Sequence, residues 1–494
     1  MGGLAFSIPF GANLPEPIPE YNGEDGWFAS PDAGEFANGS PDYPWPLNTA
    51  LAETAKVLPG DTLWLMPGTY VGNFTNLLTG SEGARLTIRP YNGVAIIDGE
   101  FTNGYSDGRV SYTDIRNLII TCSDTNRGSQ TSPVGTVSRP SGYVNFAPYS
   151  RFINSMILDS GVSIGDWIPA NDSLTYGVLV LNGGYMDIAR GHGHGDYCQN
   201  QTGLKEIKHC LLLPHFGRPL ACYTTNQQSR GFRIHHNVFV CETGGDYVLI
   251  GGQERHDDQV FDNNHVVGNV VAQFTWEQNG SIQVTNNTIW QPADSHALLV
   301  GYWESAVVMG NRINGKSPIG DIVIKEMIRW TRPLDPTGIS TTWDSNQYHY
   351  RGAEPKMFKI DGVLKTFAEW QAAGHDAGGS YDTLDTLPDE VVVYPNELAD
   401  ADDPRLGIVV VWNGSSQANV SVDLSSMGIA NGTPCRLRQA LDPLGDTVEV
   451  VYNGVSVSVD MTPQTRTVAA PIGWPVPLVD SPFPRFGAFI VEKQ

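Results

Sequence analysis

"GFRIHHNVFV" (231–240), "QVFDNNHVVGN" (259–269), "SIQVTNNTIWQ" (281–291) and "SAVVMGNRING" (305–315) repeat one pattern. Each has a short β-prone run, an asparagine (Asn237, Asn264, Asn287, Asn311) and a second apolar run. Upstream, "SRFINSMILDS" (150–160, Asn154) and "LKEIKHCLLLP" (204–214) extend the series, with His209 in the asparagine's place. From His209 onward the intervals are 28, 27, 23 and 24 residues. A period in the twenties, built from strands without a regular helix, marks a β-solenoid. One coil cannot bury its interior alone, so neighbours must stack. Asn at the repeated turn tolerates the left-handed bend and donates its amide to the next coil, which forms a ladder.

The composition agrees. The chain has 494 residues, 40% of them hydrophobic, with 54 Gly and 33 Pro, which favours many short strands joined by turns. Acidic residues outnumber basic ones 53 to 30, a net charge of −23 that repels nucleic acid and anionic membranes. Six cysteines form no CxxC pair and no zinc-ribbon spacing. No apolar stretch is long enough to cross a membrane, so no membrane insertion is expected. "MGGLAFSIPFGANLPEPIPEY" lacks the basic start and long apolar run of a secretory signal, so assembly into a virus particle is one expected route to the exterior.

Residues 1–26 read as a proline-rich arm. "LNTALAETAKVL" (47–58) is spaced, at 47, 51, 54 and 58, for a short amphipathic capping helix. "PGDTLWLMPGTY" and "ARLTIRPYNGVAIIDG" are strands bounded by Pro-Gly and Asn-Gly turns. After about 315 the repeat fades into a closing coil with a second short helix, Phe367 and Trp370 facing inward. "DEVVVYPN", "LGIVVVWN", "NVSVDLSS", "VEVVYNGVSVSVDM" and "FGAFIVEK" read as alternating strands of an antiparallel sandwich. The expected division is an arm (1–26), a parallel β-helix (27–385) and a β-sandwich (386–494).

"PGDTLWLMPGTY" followed by "LTIRPYNGVAIIDG" resembles the first coils of the bacterial and phage right-handed parallel β-helix proteins with a chondroitinase-B-like N-terminal region. "FKIDGVLKTFAEWQAAGHDAGG" is similar to that group's usual close, and the last hundred residues resemble the sandwich often fused behind it. The resemblance covers roughly 27–494. It implies an all-β fold, a right-handed parallel β-helix followed by an antiparallel sandwich. It also implies an association with polysaccharide, since the fold carries lyases, hydrolases, epimerases and tailspikes. In the lyases it resembles, a Lys and an Arg work beside a calcium that neutralises the uronate. No motif marks that pair in this chain. Calcium (Ca2+) is the ion the acid excess favours, though no loop spells a dedicated calcium site.

"GHGHGDYCQNQTG" (191–203) is the candidate site. As an extended strand it places His192, His194 and Asp196 on one face, a possible zinc or manganese chelate. Read otherwise, Gly191, Gly193 and Gly195 make a bend whose histidines cap stacked turns. Laying "GHGDYCQN" over "GRPLACYT" at an offset of 24 stacks Cys198 on Cys222, Tyr197 on Ala221 and His194 on Arg218. "GDYV" (245–248) then echoes "GDYC", placing Asp246 two rungs from Asp196. The thiols form a buried stack whose spacing also permits a disulfide.

For β-elimination the densest basic cluster is Lys205, Lys208, His209, His215 and Arg218, in a chain with nine lysines. For hydrolysis, Asp196, Glu242 and Asp246, with Glu254, Asp257 and Asp258, could supply paired carboxylates. The bland reading of each set is a solvated turn and surface charge. Expected catalytic residues are therefore Lys205, His209, Arg218, Asp196 and Asp246. Expected sugar contacts are His194, Tyr197, Gln199, Tyr223 and Arg255. Tyr197, Tyr223, Tyr247, Trp276, Trp290 and Trp303 recur near coil ends, where rings either stack on sugars or fill the interior. Three functions compete: a virion spike that recognises and cuts surface glycan, a secreted lyase or hydrolase, and a purely structural rod. A spike of this fold is expected to be a homo-oligomer, often a trimer.

Overall fold

Leu63, Ile88, Ile115 and Phe152 stand in register on successive parallel strands. The column continues through Thr175, Ile207, Ile234, Phe261, Val284 and Val308 to Trp343. All are buried. Parallel pairing sets each apolar residue on its counterpart one coil away, so burial is shared between coils. The computed structural model describes residues 21–34, 36–128, 139–241, 247–272, 278–293, 295–316, 328–331, 340–351 and 356–494.

The coils form a right-handed parallel β-helix with three faces. One is a 12-stranded sheet running from Trp27–Ala29 to Ser340–Asp344. The other two belong to a 22-stranded sheet and share the long strands Gly68–Asn76 and Ala95–Asn103 at its start. The capping helix is shorter than its spacing suggests. It spans Leu47–Ala50, with Leu47, Ala50 and Leu51 buried, while Leu58 beside the Pro59-Gly60 break is exposed.

The asparagine ladder is present, with one correction. Asn237 Nδ2 donates to Asn264 Oδ1 at 3.1 Å, and the relay continues to Asn287, Asn311 and Asn346 at 3.1, 2.9 and 2.9 Å. Each acceptor also takes the backbone N–H of the asparagine before it. The left-handed bend belongs to the preceding residue: His236, Asn263, Asn286, Gly310 and Ser345 have φ of 59, 52, 56, 67 and 59°. His209, at φ 54°, is likewise the bend residue, and Cys210 holds the ladder position, its N–H donating to Asn237 Oδ1 at 2.8 Å. The ladder ends on Asp376, which accepts from Asn346 Nδ2, Tyr348 Oη and Trp370 Nε1 at 2.7, 2.6 and 2.8 Å. Trp370 lies on the closing helix Phe367–Ala372, which Thr366 and Glu369 cap reciprocally.

The C-terminal region is a five-stranded antiparallel sheet over a two-stranded one. The strand Arg405–Asn413 reads as continuous apolar sequence because both its faces are covered. Val409 and Val411 point to Val422, Leu424 and Val459 inside the sandwich. Ile408, Val410 and Trp412 pack on Leu179, Leu181, Leu211, Val238 and Val240 of the helix. Polar pairs rim this seam: Arg89 and Arg116 with Asp400 at 2.7 and 2.9 Å, and Lys208 with Glu397 at 2.5 Å. His265 lies within it. Its Nδ1 accepts from Trp412 Nε1 at 3.0 Å, so the neutral ring carries its proton on Nε2, 2.8 Å from Tyr394 Oη.

Two predictions follow from this architecture. Asn287→Ala removes four buried hydrogen bonds, one from each of two donors and two acceptors, and should cost about 3–5 kcal/mol in guanidinium unfolding. Asn419→Ala, at an exposed sandwich position, should stay within about 0.5 kcal/mol. Burial, reinforced by Lys208 beside His209 and by His236 beside both rings, lowers His209 and His265 to about 3 each. The unfolded chain therefore binds more protons below the ordinary imidazole value, and stability falls as pH drops through ~6.5. Each ring should cost about 2 kcal/mol at pH 5 relative to pH 7, read from unfolding midpoints across that range.

Candidate functional site

Tyr197 faces outward between the inward-pointing Asp196 and Cys198, as alternation along a strand requires. Around it is a groove of about 720 Å³. Aromatic rings form part of its wall. Trp167 meets Tyr197 edge-on at 5.4 Å, His194 stacks on Tyr197 at 5.5 Å, and Tyr223 is 6.3 Å beyond. Arg139, Arg190 and Arg218 also line it, and no carboxylate does among the described residues. In a chain of net charge −23, that is a local reversal.

None of the three guanidinium groups meets a carboxylate among the described residues. Arg139 is buried and donates to four carbonyls, those of Cys122, Asp124, Asn126 and Asp159, at 3.1, 2.7, 2.9 and 2.6 Å. Arg190 is exposed. Arg218 lies over the Tyr247 ring at 4.5 Å and donates from Nη2 to its hydroxyl at 2.8 Å, while its buried Nε has no partner.

A hairpin, Tyr185–Met186 paired with Gly191–His192, closes one side. Its neck is pinched between Gly184 and Gly193, at φ 102 and 93°. A Cβ on Gly193 would lie 2.5 Å from Gly184 Cα, so only glycine fits there. Asp187 turns the tip, accepting the N–H groups of Ala189 and Arg190 at 2.6 and 3.0 Å. It also bonds His192 Nε2. Burial opposes ionisation of Asp187, but these hydrogen bonds outweigh it and hold the carboxyl below its usual range. His192 stacks on Tyr185 at 5.0 Å. With Nε2 tied to the carboxylate, Nδ1 is the free ring nitrogen.

His194 is arranged differently. The Arg218 N–H donates to its Nδ1 at 3.2 Å, which leaves the proton on Nε2. Burial, then Arg218, lowers its pKa to about 3, so at neutral pH it is an uncharged donor. Burial raises Tyr197, which keeps its phenol protonated.

Several expected site residues lie elsewhere. The His192, His194 and Asp196 chelate does not form: a left-handed glycine separates the histidines, and Asp196 points into the core. No cluster of three or more His, Cys, Asp or Glu converges on a metal position among the described residues. A calcium in the groove would need several oxygen ligands, and guanidinium, imidazole and phenol groups do not fit that demand. Lys205 is not on a solvated turn. It is fully buried, 3.1 Å from Asp166 Oδ1, and donates to the carbonyls of Asp166, Trp167 and Gln199 at 3.1, 2.9 and 2.9 Å. Asp196 sits in the column Tyr143, Ile164, Asp196, Leu220 with neither oxygen hydrogen-bonded. Burial, then Asp166, pushes its pKa well above the carboxylate range. It is a core acid, without access to substrate.

His209 is also displaced, to the sandwich seam, where it stacks on Tyr394 at 4.8 Å. His215 is buried behind the groove, 2.7 Å from Ser163 Oγ. Asp246, Glu242 and Trp276 fall outside the described residues. The register nevertheless carries the Asp196 column through Leu220 to Val248, so the "GDYV" echo is offset by two residues. Arg255 lines a separate groove of about 300 Å³, with Glu304 holding it at 2.7 Å. Asp257 is held by Ser281, Asp258 by Arg233. Trp290 belongs to the seam and Trp303 to the core. Cys198 does stack on Cys222, as free thiols with sulfurs 3.2 Å apart.

His194, Tyr197, Arg218 and Tyr223 therefore meet in the groove, and Gln199 braces them by donating to the Tyr223 carbonyl at 3.2 Å. Sequence reasoning missed Arg139, Trp167, Tyr185, Asp187 and Arg190. "GGYMDIARGHG" did carry a signal, two glycine-flanked arms around an Asp turn.

No protein-family model and no curated protein matches the chain. Among solved structures, the A-module of mannuronan C-5 epimerase AlgE6 from Azotobacter vinelandii is similar at 13% identity and a TM-score of 0.34, over 70% of this chain and 95% of that one. A GH136 lacto-N-biosidase from Eubacterium ramulus is similar at 12% and 0.35, over 72% and 66%. Pectate lyase Pel9A is similar at 14% and 0.27, over 82% and 87%. No residue role is carried over from them.

Proposed function

We propose that the groove binds an acidic polysaccharide and that the protein acts outside a cell, on a virion surface or as a secreted protein. One observation carries this reading: Arg190 and Arg218, with no carboxylate partner among the described residues, share a groove with four aromatic rings, on a protein of net charge −23. Rings stack on sugar faces, and forked N–H donors fit carboxylate or sulfate substituents. The surrounding negative field favours binding of a polyanion at this basic strip over the acidic surface around it. His194 presents its Nε2–H as a neutral donor suited to a sugar hydroxyl. Hydrolysis, by contrast, calls for two carboxylates about a sugar, and the described lining offers none. A purely structural rod has no use for an open groove lined by aromatic rings and arginines.

Affinity electrophoresis through alginate, polygalacturonate, hyaluronan and dextran tests the reading. Retardation should occur in at least one polyuronate, weaken with salt, and be absent in dextran. Arg218→Ala and Tyr197→Ala should each weaken binding about tenfold, a loss of ~1.4 kcal/mol. Equal retardation by dextran, or binding unchanged in both variants, contradicts it.

A further inference from the structure

The Asp187–His192 pair combines the turn of the hairpin with a place beside the groove. It sits outside the core and outside the sandwich seam. Its histidine nevertheless lines the groove, and its carboxylate is fixed by two backbone N–H groups at the turn. A buried carboxylate on one ring nitrogen fixes the tautomer, exposes the other nitrogen as a base and stabilises the imidazolium it becomes. The same groove supplies the two other parts that β-elimination requires. Arg218 lines the groove and keeps terminal N–H groups beyond the one that Tyr247 takes, a cation for the uronate carboxylate. Tyr197 offers a protonated phenol flanked by Trp167, His194 and Tyr223.

We infer that the groove is a β-elimination site for 4-linked polyuronates, with His192 as the general base, Asp187 as its positioning residue, Arg218 as the carboxylate clamp and Tyr197 as the general acid. The inference rests on the acidic-polysaccharide reading above and adds a reaction to it. Arg218 neutralises the uronate carboxylate and so acidifies the neighbouring C5–H. His192 Nδ1 takes the C5 proton. The C5–H electron pair becomes the C4=C5 double bond as the C4–O4 bond breaks. The departing O4 takes the Tyr197 phenolic proton. One chain ends in a new reducing-end C1 hydroxyl and the other in a 4,5-unsaturated uronate. A proton passing from imidazolium to phenolate restores the site, with no oxidant, reductant or water consumed.

The test runs on the full chain with alginate, polygalacturonate and hyaluronan, following ultraviolet absorbance of the conjugated uronate alongside electrophoretic retardation. The expected result is growing absorbance on a polyuronate that the protein also retards. His192→Gln should lower kcat about 10²–10⁴-fold while retardation stays within twofold. Asp187→Asn should lower kcat similarly with KM little changed, because an amide favours the wrong tautomer, and should shift the acid limb of the pH–rate profile. A merely structural Asp187 would lower retardation and kcat together and leave the profile in place, which overturns its assigned role. Retardation without absorbance, or full activity in His192→Gln, overturns the elimination site and leaves the binding reading standing. Retardation by none of the three overturns the binding reading itself.

Discussion

In-register stacking of parallel strands is the constraint on which the rest of the structure depends. Once each residue lies over its counterpart, a column must be acceptable at every coil it passes. Apolar columns meet this by burial. Amide columns meet it because each Asn donates to one neighbour and accepts from the other. A carboxylate accepts only, so it ends such a column. Both asparagine ladders among the described residues end that way. Asn76, Asn103 and Asn145 hand on to Asp166, and Asn237 through Asn346 hand on to Asp376. Each terminal carboxylate then needs donors from elsewhere, Lys205 and Ser173 for one, Trp370 and Tyr348 for the other.

That rule places the groove. Below Asp166 the column changes from polar to sulfur and then apolar, through Cys198 and Cys222 to Ile250. The outward residues of those same strands are Tyr197 and Ala221, with Tyr223 just beyond. The coil at which the interior changes character is thus the one whose exterior carries the aromatic wall. Lys205 and Asp196, which resemble catalytic groups in sequence, serve the interior of this transition. The groove residues face out, and the hairpin beside them lies outside the stacked columns.

This division explains what the sequence disclosed. The period of Asn237, Asn264, Asn287 and Asn311 was readable because the ladder demands one residue type at one place in each coil. The Cys198–Cys222 register followed from the same periodicity. The bend position was misread by one residue, since His, Asn, Gly and Ser all serve there and leave no single-letter pattern. Burial of Lys205 was illegible because its partners, three carbonyls and Asp166, lie up to 39 residues away. Arg139 is similar: its four carbonyl partners gather only when the coils close. The dyad was hidden for a simpler reason. Asp187 lies five residues before His192, a spacing that becomes a contact only when the hairpin folds.

Hydrogen exchange with and without a polyuronate hexasaccharide tests the central claim most directly. The account predicts slowed exchange at backbone amides of 185–198 and 218–223, with the sandwich and the Asn264–Asn346 ladder unchanged. Protection confined to the sandwich, or no protection at any concentration that saturates retardation, would contradict it.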